Sequence, residues 1–300
     1  MDIFLQQLVN GLTIGSLYAL VALGYTMVYG VMKLINFAHG DLVALSAFVG
    51  LTIYTQVFGE GVTSLVAVIT VFVFTAAVIA LVGVLLERLA YRPLRTAPRL
   101  SAVVSALGAG LVIQNAIMLI WGPNMKIFPS DLLPSTIWDI NGVVLTFTQV
   151  MILGLSSVLM VGLYFFINRT KMGTAIRAVA IDQDAAKLMG INVNRIIMII
   201  FIIGSSLGAV AGLFIGIYYR GVTFDMGWLY GLNAFVAAIM GGIGNIPGAM
   251  IGGLLLGLFN ALISGYISSQ WAETFTFVLL IFILIFRPTG ILGEKVAEKV

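Results

Sequence analysis

Residues 168–195 read NRTKMGTAIRAVAIDQDAAKLMGINVNR and form a densely charged segment between two long apolar segments. The segment contains five basic and two acidic residues. Charges at this density must lie in water, because an isolated charge is costly inside a bilayer. An excess of Lys and Arg in a loop between spans predicts the cytoplasmic side of a membrane. The segment therefore predicts a membrane protein that carries an ordered cytoplasmic loop.

The composition of the whole chain also indicates a membrane protein. Of its 300 residues, 61% are hydrophobic and 9% are charged, and the mean hydropathy is +1.12. Apolar runs recur along the chain, which predicts an all-α polytopic membrane protein of about eight or nine transmembrane or half-membrane helices, in one domain over residues 1–300. The predicted spans are Leu8–Tyr29, Leu42–Val57, Ser64–Leu86, Ser101–Trp121, Gln149–Ile167, Ile196–Tyr219, Tyr230–Met240, Pro247–Ile263 and Thr274–Phe286.

Two segments are too short to cross a bilayer as straight helices. They are Tyr230–Met240 and the chain that enters the second span after Lys33. Glycine and polar residues flank both segments, which predicts broken or re-entrant helices. The polar stretches Asn36–Asp41 and Gly231–Asn233 are consistent with an internal repeat, and equally with two breaks that are unrelated to each other.

Basic residues in the short loops orient the predicted spans. Loop 87–99 carries four arginines and one glutamate, which predicts the same cytoplasmic side as residues 168–195. Loop 122–148 carries more acidic than basic residues and is predicted to be external, and the C-terminal tail after Phe286 gives a weaker cytoplasmic signal. The pI of about 9.2 therefore reflects topology, and nucleic acid is not expected as a partner.

The cytoplasmic segment 168–195 has its own helical pattern. Residues 174–180 favour a short helix, Asp182 is suited to cap a second one, and Gly190 is suited to close it. Asp184 and Lys187 match the dipole at the two ends of the second helix. Apolar residues give the pair an apolar side: Ile176, Val179, Leu188 and Met189. A loop that only fixes topology has no use for such a side, whereas a docking element for a cytosolic partner explains it.

Neutral or ionisable polar side chains at membrane depth are candidates for a transport pathway. His39 and Asp41 also fit a proton relay, or a hydrated position at the cytoplasmic interface. The neutral amides fit hydrogen bonds between helices equally well. The pathway candidates are Asn36, His39, Gln114, Asn115 and Asn233.

Glycines recur at four-residue spacing in the sixth predicted span, at Gly204, Gly208, Gly212 and Gly216. This spacing leaves one helix face without side chains and predicts close packing against another helix. The partner helix lies either in the same chain or in another subunit.

Several chemistries are excluded by the sequence. The chain has no cysteine and a single histidine, so a Cys- or His-rich metal site is not expected, and no cofactor is predicted. No G-x-x-x-x-G-K-[ST] motif is present, so we do not expect the chain to be an ATP-hydrolysing enzyme.

Three segments of the chain resemble one family. They are residues 10–41, beginning NGLTIGSLYALVALGYTMVYG and ending INFAHGD; residues 173–191, GTAIRAVAIDQDAAKLMGI; and residues 233–249, NAFVAAIMGGIGNIPGA. Together they resemble the permease subunits of bacterial ABC importers for branched-chain amino acids, and the resemblance covers nearly the whole chain.

The resemblance implies a multi-pass subunit of the bacterial inner membrane. It implies a second permease subunit, two cytosolic ATP-binding subunits and a periplasmic or extracytoplasmic solute-binding protein as partners. The implied substrate is a branched-chain amino acid, and permeases for urea, short amides or other neutral amino acids look similar. An ion-coupled secondary transporter is the alternative from another class. The segment that matches the family's coupling region supplies the candidate ATPase-coupling residues Arg177, Ala180, Asp182, Asp184, Lys187 and Gly190.

Overall fold

The computed structural model describes residues 2–59, 64–95, 97–140 and 142–293. Within these ranges the chain forms helices joined by short loops, with a few very short strands. The helices are α1 Asp2–Met32, α2 His39–Ile53, α3 Leu65–Leu86, α4 Arg99–Trp121, α5 Phe147–Arg169, α6 Lys171–Ile181, α7 Gln183–Leu188, α8 Val193–Tyr219, α9 Met226–Gly241, α10 Ile246–Tyr266 and α11 Ala272–Phe286. Wider π-helical turns extend α2 over Tyr54–Phe58 and α3 over Glu87–Tyr91.

Eight helices of the described residues are long and apolar enough to cross a membrane, and α9 is a shorter apolar helix. The prediction of an all-α membrane protein with eight or nine spans is confirmed. The predicted short segment Tyr230–Met240 lies within α9, which runs unbroken for 16 residues, so the helix is short but not broken, and its re-entrant character stays a prediction. The Asn233 amide donates to the carbonyl of Leu229, 3.1 Å away in the same helix, so this polar residue does not interrupt it.

The helices α1 and α8 form the centre of the molecule. Their most apolar windows are 89% and 67% buried, against 17% for α4 and 11% for α11 at the periphery. Small residues allow α1 to approach α10 closely. A Cβ atom placed on Gly15 would lie 2.8 Å from the Cα atom of Leu254, so only glycine fits this crossing.

The helices α1–α4 repeat the arrangement of α8–α11. In this comparison α1, α2, α3 and α4 correspond to α8, α9, α10 and α11. The contact of α1 with α10 then corresponds to that of α8 with α3, and the contact of α2 with α4 corresponds to that of α9 with α11. Both α1 and α8 end at a basic residue with left-handed backbone, Lys33 and Arg220, each with φ of 54°. In each unit the next helix begins six positions later, at His39 and Met226 (39 − 33 and 226 − 220).

The two units run in opposite directions through the membrane, because α1 is the first and α8 the sixth candidate span. The second helices of the two units cross at their first turns, where a Cβ atom on Gly227 would lie 2.6 Å from the Gly40 carbonyl oxygen. This arrangement favours an inverted repeat. Its second break lies at residues 220–225, so pairing Asn36–Asp41 with Gly231–Asn233 was wrong.

The predicted external segment 122–148 contains short strands that the helical pattern did not predict. Strands β2 Ile137–Ile140 and β3 Val143–Thr146 form an antiparallel hairpin. Strand β1 Lys126–Ile127 pairs with β4 Gly221–Val222, which follows α8. The β1–β4 pairing joins the segment after α4 to the segment after α8, and the hairpin leads into α5. The C-terminal charges of residues 294–300 lie outside the described residues.

Candidate functional site: the α6–α7 segment and the polar residues of the spans

The helix α6 is held firmly against the end of α5. The Thr170 hydroxyl caps α6 by accepting a hydrogen bond from the Gly173 amide at 3.0 Å. Arg177 donates to the carbonyl of Ile167, one of the last carbonyls of α5. A cation at this position also complements the negative end of the helix dipole. The exposed Arg177 is thus part of the joint between α5 and α6.

The helix α7 is closed at both ends by the residues that the sequence indicated. The Asp182 carboxylate accepts hydrogen bonds from the Asp184 and Ala185 amides at 2.9 and 3.0 Å. Lys187 pairs with Asp184 at 2.8 Å across one turn. Gly190 has φ of +81°, and its amide donates to the Lys187 carbonyl at 3.0 Å. These local bonds make α7 a rigid projection after α6.

The apolar residues of the segment divide between two sides. Ile176 and Val179 are buried, whereas Leu188 is 89% and Met189 is 82% exposed. Ile181, the last residue of α6, is 87% exposed. The segment therefore has two apolar sides and not the single one expected. The side with Ile176 and Val179 anchors α6 to the spans, and the side with Leu188 and Met189 is not covered by any part of the chain that the structure describes. We call Ile181, Leu188 and Met189 the apolar tip.

Charged and small residues surround the apolar tip. Asp184 and Lys187 are exposed and Ala180 is half-buried. A shallow pocket of about 310 Å³ opens beside them, lined by Lys187, Gly190, Ile191, Asn192, Val193 and Asn194. An exposed apolar tip rimmed by charge is typical of a protein-binding surface.

The segment contacts the C-terminal end of α1 directly. Gln183, the first residue of α7, donates from Nε2 to the Val31 carbonyl oxygen at 3.0 Å. Val31 precedes the break between α1 and α2 by a few residues. Gln183 is not among the residues predicted from the sequence, because a single glutamine in a polar segment carries no pattern of its own.

Two pathway candidates lie in the core. Asn36 and His39 are each 1% exposed. The Asn36 side chain accepts a hydrogen bond from the Tyr91 hydroxyl at 2.8 Å. The His39 ring lies edge-on to Tyr25 with centroids 5.0 Å apart, beside Gly24. In this conformation a substrate reaches neither side chain, so their predicted pathway role would require the helices to separate.

The other three candidates are dispersed. Gln114 is half-buried on α4, and the neighbouring Asn115 is exposed and donates to the carbonyl of Leu111 in its own helix at 2.7 Å. Asn233 is 7% exposed on α9. The structure does not bring the five candidates together, and their role in transport stays a prediction.

The glycine series of α8 contacts the first half of the same chain. Gly204 lies against Gly24 of α1, and Gly208 lies against His39 and Val43 of α2. Gly212 and Gly216 continue the series against Ser46 and Phe128. All four glycines are buried. This face is therefore an intrachain contact between the two repeat units.

A polar cavity at the other end of the molecule was missed. It has a volume of about 270 Å³ and lies between α1, α8 and α10. The amide Asn10 in an otherwise apolar helix was the available signal, and it accepts a hydrogen bond from Gln149 at 3.0 Å. Its lining includes Asn10, Tyr18, Tyr218, Tyr219 and Asn260.

Known proteins resemble this chain over nearly its full length. The family model described as branched-chain amino acid transport system / permease component matches residues 7–284. The chain is 43% identical over 301 residues to the high-affinity branched-chain amino acid transport system permease protein BraD of Pseudomonas aeruginosa, with 99% of this chain and 98% of BraD covered. It is 41% identical over 303 residues to LivH of Escherichia coli K12, a protein of the same description, with the same coverage.

A more distant relative transports a different kind of molecule by name. The chain is 27% identical over 264 residues to the ribose import permease protein RbsC of Escherichia coli K12, with 85% of this chain and 77% of RbsC covered. No solved structure matches the chain significantly. The family model spans most of the chain, including α1, the α6–α7 segment and α10. The chain therefore belongs to the family of branched-chain amino acid transport system permease components.

Proposed function

We propose that this chain is a permease subunit of an ATP-driven importer for branched-chain amino acids in the bacterial inner membrane. It forms the pathway with a second permease subunit, and an extracytoplasmic solute-binding protein delivers the substrate. The observation that carries the proposal is the near-full-length similarity to BraD and LivH, whose names state that substrate class. The lower similarity to a permease named for ribose favours amino acids over sugars.

The energy for import comes from other chains. The sequence has no phosphate-binding G-x-x-x-x-G-K-[ST] motif. The described residues also contain no group of three or more His, Cys, Asp or Glu that could hold a metal ion. Two cytosolic ATP-binding subunits, one for each permease, therefore supply the ATP hydrolysis.

The apolar tip of the α6–α7 segment is the docking point for an ATP-binding subunit. Leu188 and Met189 lie on the side that the basic loops predict to be cytoplasmic, so lipid tails do not cover them. The Asp184–Lys187 pair beside them offers both signs of charge to a partner, which adds specificity at the rim of an interface. The rigid caps at Asp182 and Gly190 hold the tip in a fixed position.

Movement of the docked subunit reaches the spans through the anchored side of the segment. Closure of the ATP-binding subunits around ATP displaces α6 and α7. Arg177 transmits the displacement to α5, and Gln183 transmits it to α1. The pathway then switches between inward-facing and outward-facing arrangements, and hydrolysis resets it. Such coupling requires that the segment favour a different arrangement of the spans in each nucleotide state.

Import in proteoliposomes tests this function. The full complex of both permeases and both ATP-binding subunits is reconstituted with the binding protein outside, ATP inside, and the proton and sodium gradients collapsed. We expect saturable uptake of leucine, isoleucine and valine that requires ATP and is not competed by ribose. Uptake of urea or short amides in preference to these amino acids would contradict the substrate. Accumulation that follows an ion gradient and ignores ATP would identify a secondary transporter.

A further inference from the structure

A buried ion pair lies in the predicted cytoplasmic connection between α3 and α4. Glu87 is 1% exposed where α3 passes into its π-helical turn. Its carboxylate pairs with Arg95, which follows the same turn. A buried carboxylate is costly unless it is paired, so the pair fixes the path of residues 87–95.

The same arginine reaches the start of α8, the helix that follows the α6–α7 segment. Arg95 donates from its second terminal nitrogen to the Asn194 side-chain oxygen at 2.5 Å. Asn194 is the second residue of α8 and lines the pocket beside Gly190. One guanidinium group therefore joins the Glu87 carboxylate to the start of α8, which lines the same pocket as Lys187 and Gly190 of the docking segment, with the planar geometry that suits arginine to such bridges.

The other side of the π-helical turn reaches the break between α1 and α2. Tyr91 is fully buried, and its hydroxyl donates to the Asn36 side chain at 2.8 Å. The Asn36 carbonyl in turn accepts the hydrogen bond of the first α2 amide, that of His39, at 3.0 Å. The position of Tyr91 is thus linked to the start of α2.

The turn itself departs from regular α-helix. Residues Glu87–Tyr91 form a π-helical turn, a form that is rare and often found at functional sites. Its anchor on α4 is a hydrogen bond from the Ser105 hydroxyl to the Ala90 carbonyl at 2.9 Å. Conversion of a π turn to α-helix shifts the residues on either side of it.

We propose that the π-helical turn Glu87–Tyr91 relays movement from the α6–α7 segment to the α1–α2 break. Glu87 and Arg95 position the turn against Asn194, and Tyr91 positions Asn36. These are positioning residues for the transport cycle, and the inference rests on the proposed function. It adds a second connection to the direct bond between Gln183 and Val31, one that involves α3 and α4.

The variant Tyr91→Phe tests the relay, because it removes the hydroxyl that meets Asn36 and keeps the ring packed against Phe201 at a centroid distance of 5.3 Å. Two quantities are measured in proteoliposomes of the full complex: substrate imported per ATP hydrolysed, and thermal stability. We expect import per ATP to fall about fivefold, the factor that corresponds to the loss of one net hydrogen bond. ATP hydrolysis continues, since the docking surface is untouched.

A double variant separates coupling from stability. Tyr91→Phe leaves a buried Asn36 without its donor, and Tyr91→Phe with Asn36→Leu removes both partners, which is close to neutral for stability. The relay predicts that the double variant regains stability while import per ATP stays low. Trp121→Phe is the matched control, since it removes one hydrogen bond between α4 and α2, from Trp121 to Thr52 at 2.8 Å, away from the turn.

The outcomes distinguish the relay from the proposed function. Wild-type coupling in Tyr91→Phe, or full recovery of coupling in the double variant, overturns the relay. If Tyr91→Phe does not assemble, import per ATP is measured in the double variant alone, where a low value supports the relay and a wild-type value overturns it. An equal loss in Trp121→Phe also overturns the relay, because any interhelical bond would then have the same effect. If the wild-type complex itself shows no ATP-dependent import, the proposed function fails instead.

Discussion

Enlarging Gly208 should disrupt the contact between the two repeat units. A Cβ atom at this position would lie 3.1 Å from the His39 Cε1 atom and 3.3 Å from the Val43 Cγ2 atom. Both neighbours are buried, with exposures of 1% and 0%. Gly24 of α1 also lies against the Cε1 and Nε2 atoms of the His39 ring, so two helices confine this edge of the ring. Gly208→Leu therefore places four carbons where not even one fits without adjustment.

The expected cost follows from this lack of space. Overpacking of a close-packed interior destabilises a protein by about 1–3 kcal/mol. That range corresponds to about 5- to 150-fold in the folding equilibrium. Gly154→Leu is the matched control on α5, because a Cβ atom there meets nothing within 4 Å. Leucine has a higher helix propensity than glycine, so the control should cost nothing.

The assay compares the two variants with the wild type. Each complex is purified in detergent and heated, and the midpoint temperature for loss of monodisperse protein is measured by size exclusion. We expect Gly208→Leu to lose stability and Gly154→Leu to match or exceed the wild type. Equal stability of the two leucine variants would refute the close contact of α8 with α2.

Two further substitutions test local features. Asp182→Ala removes the cap of α7 and should destabilise the segment by about 1 kcal/mol, whereas Asp182→Asn keeps an accepting oxygen. Hydrogen exchange of the Asp184 and Ala185 amides, which donate to Asp182, should therefore rise only in the alanine variant. His39→Gln keeps hydrogen-bonding capacity and cannot titrate, so ATP-driven uptake should persist with little change in its pH profile. An ATP-driven mechanism would be contradicted if uptake required the proton gradient in the wild type and were lost in His39→Gln.

The spans and the α6–α7 segment were predictable because local physics decides them. Long apolar runs must lie in lipid, and a carboxylate at Asp182 with a glycine at Gly190 closes a short helix wherever it lies. The hairpin β2–β3 was also accessible, since Asn141 and Gly142 form a dipeptide typical of tight hairpin turns between apolar strands.

Features decided by tertiary contacts were not predictable. Ile176 and Leu188 are alike in character, and only the packing of α6 against the spans buries the first and exposes the second. Asn233 looked like a break, yet an asparagine can bond the carbonyl one turn back in its own helix. The true second break ends α8 at Arg220, a residue type that rarely adopts left-handed backbone and so gives no sequence signal.

Pathway residues resisted prediction for a related reason. Polarity at membrane depth marks both a transport route and a hydrogen bond between helices. Asn36 is in the second situation in this conformation, since it is bonded to Tyr91, and the His39 ring is packed beside Tyr25. A route between two permease subunits also needs residues of the other chain, which no pattern within this sequence can supply.

The central claim, that an ATP-binding subunit docks on the apolar tip, is tested most directly by site-specific cross-linking. The chain has no cysteine, so Leu188→Cys carries a single reactive thiol for a benzophenone maleimide. Ile127→Cys is the control, 77% exposed on the predicted external side. After illumination of the transport-competent complex, we expect an adduct with the ATP-binding subunit from Leu188→Cys and none from Ile127→Cys. A labelled Leu188→Cys that yields no such adduct in an actively transporting complex would contradict the account.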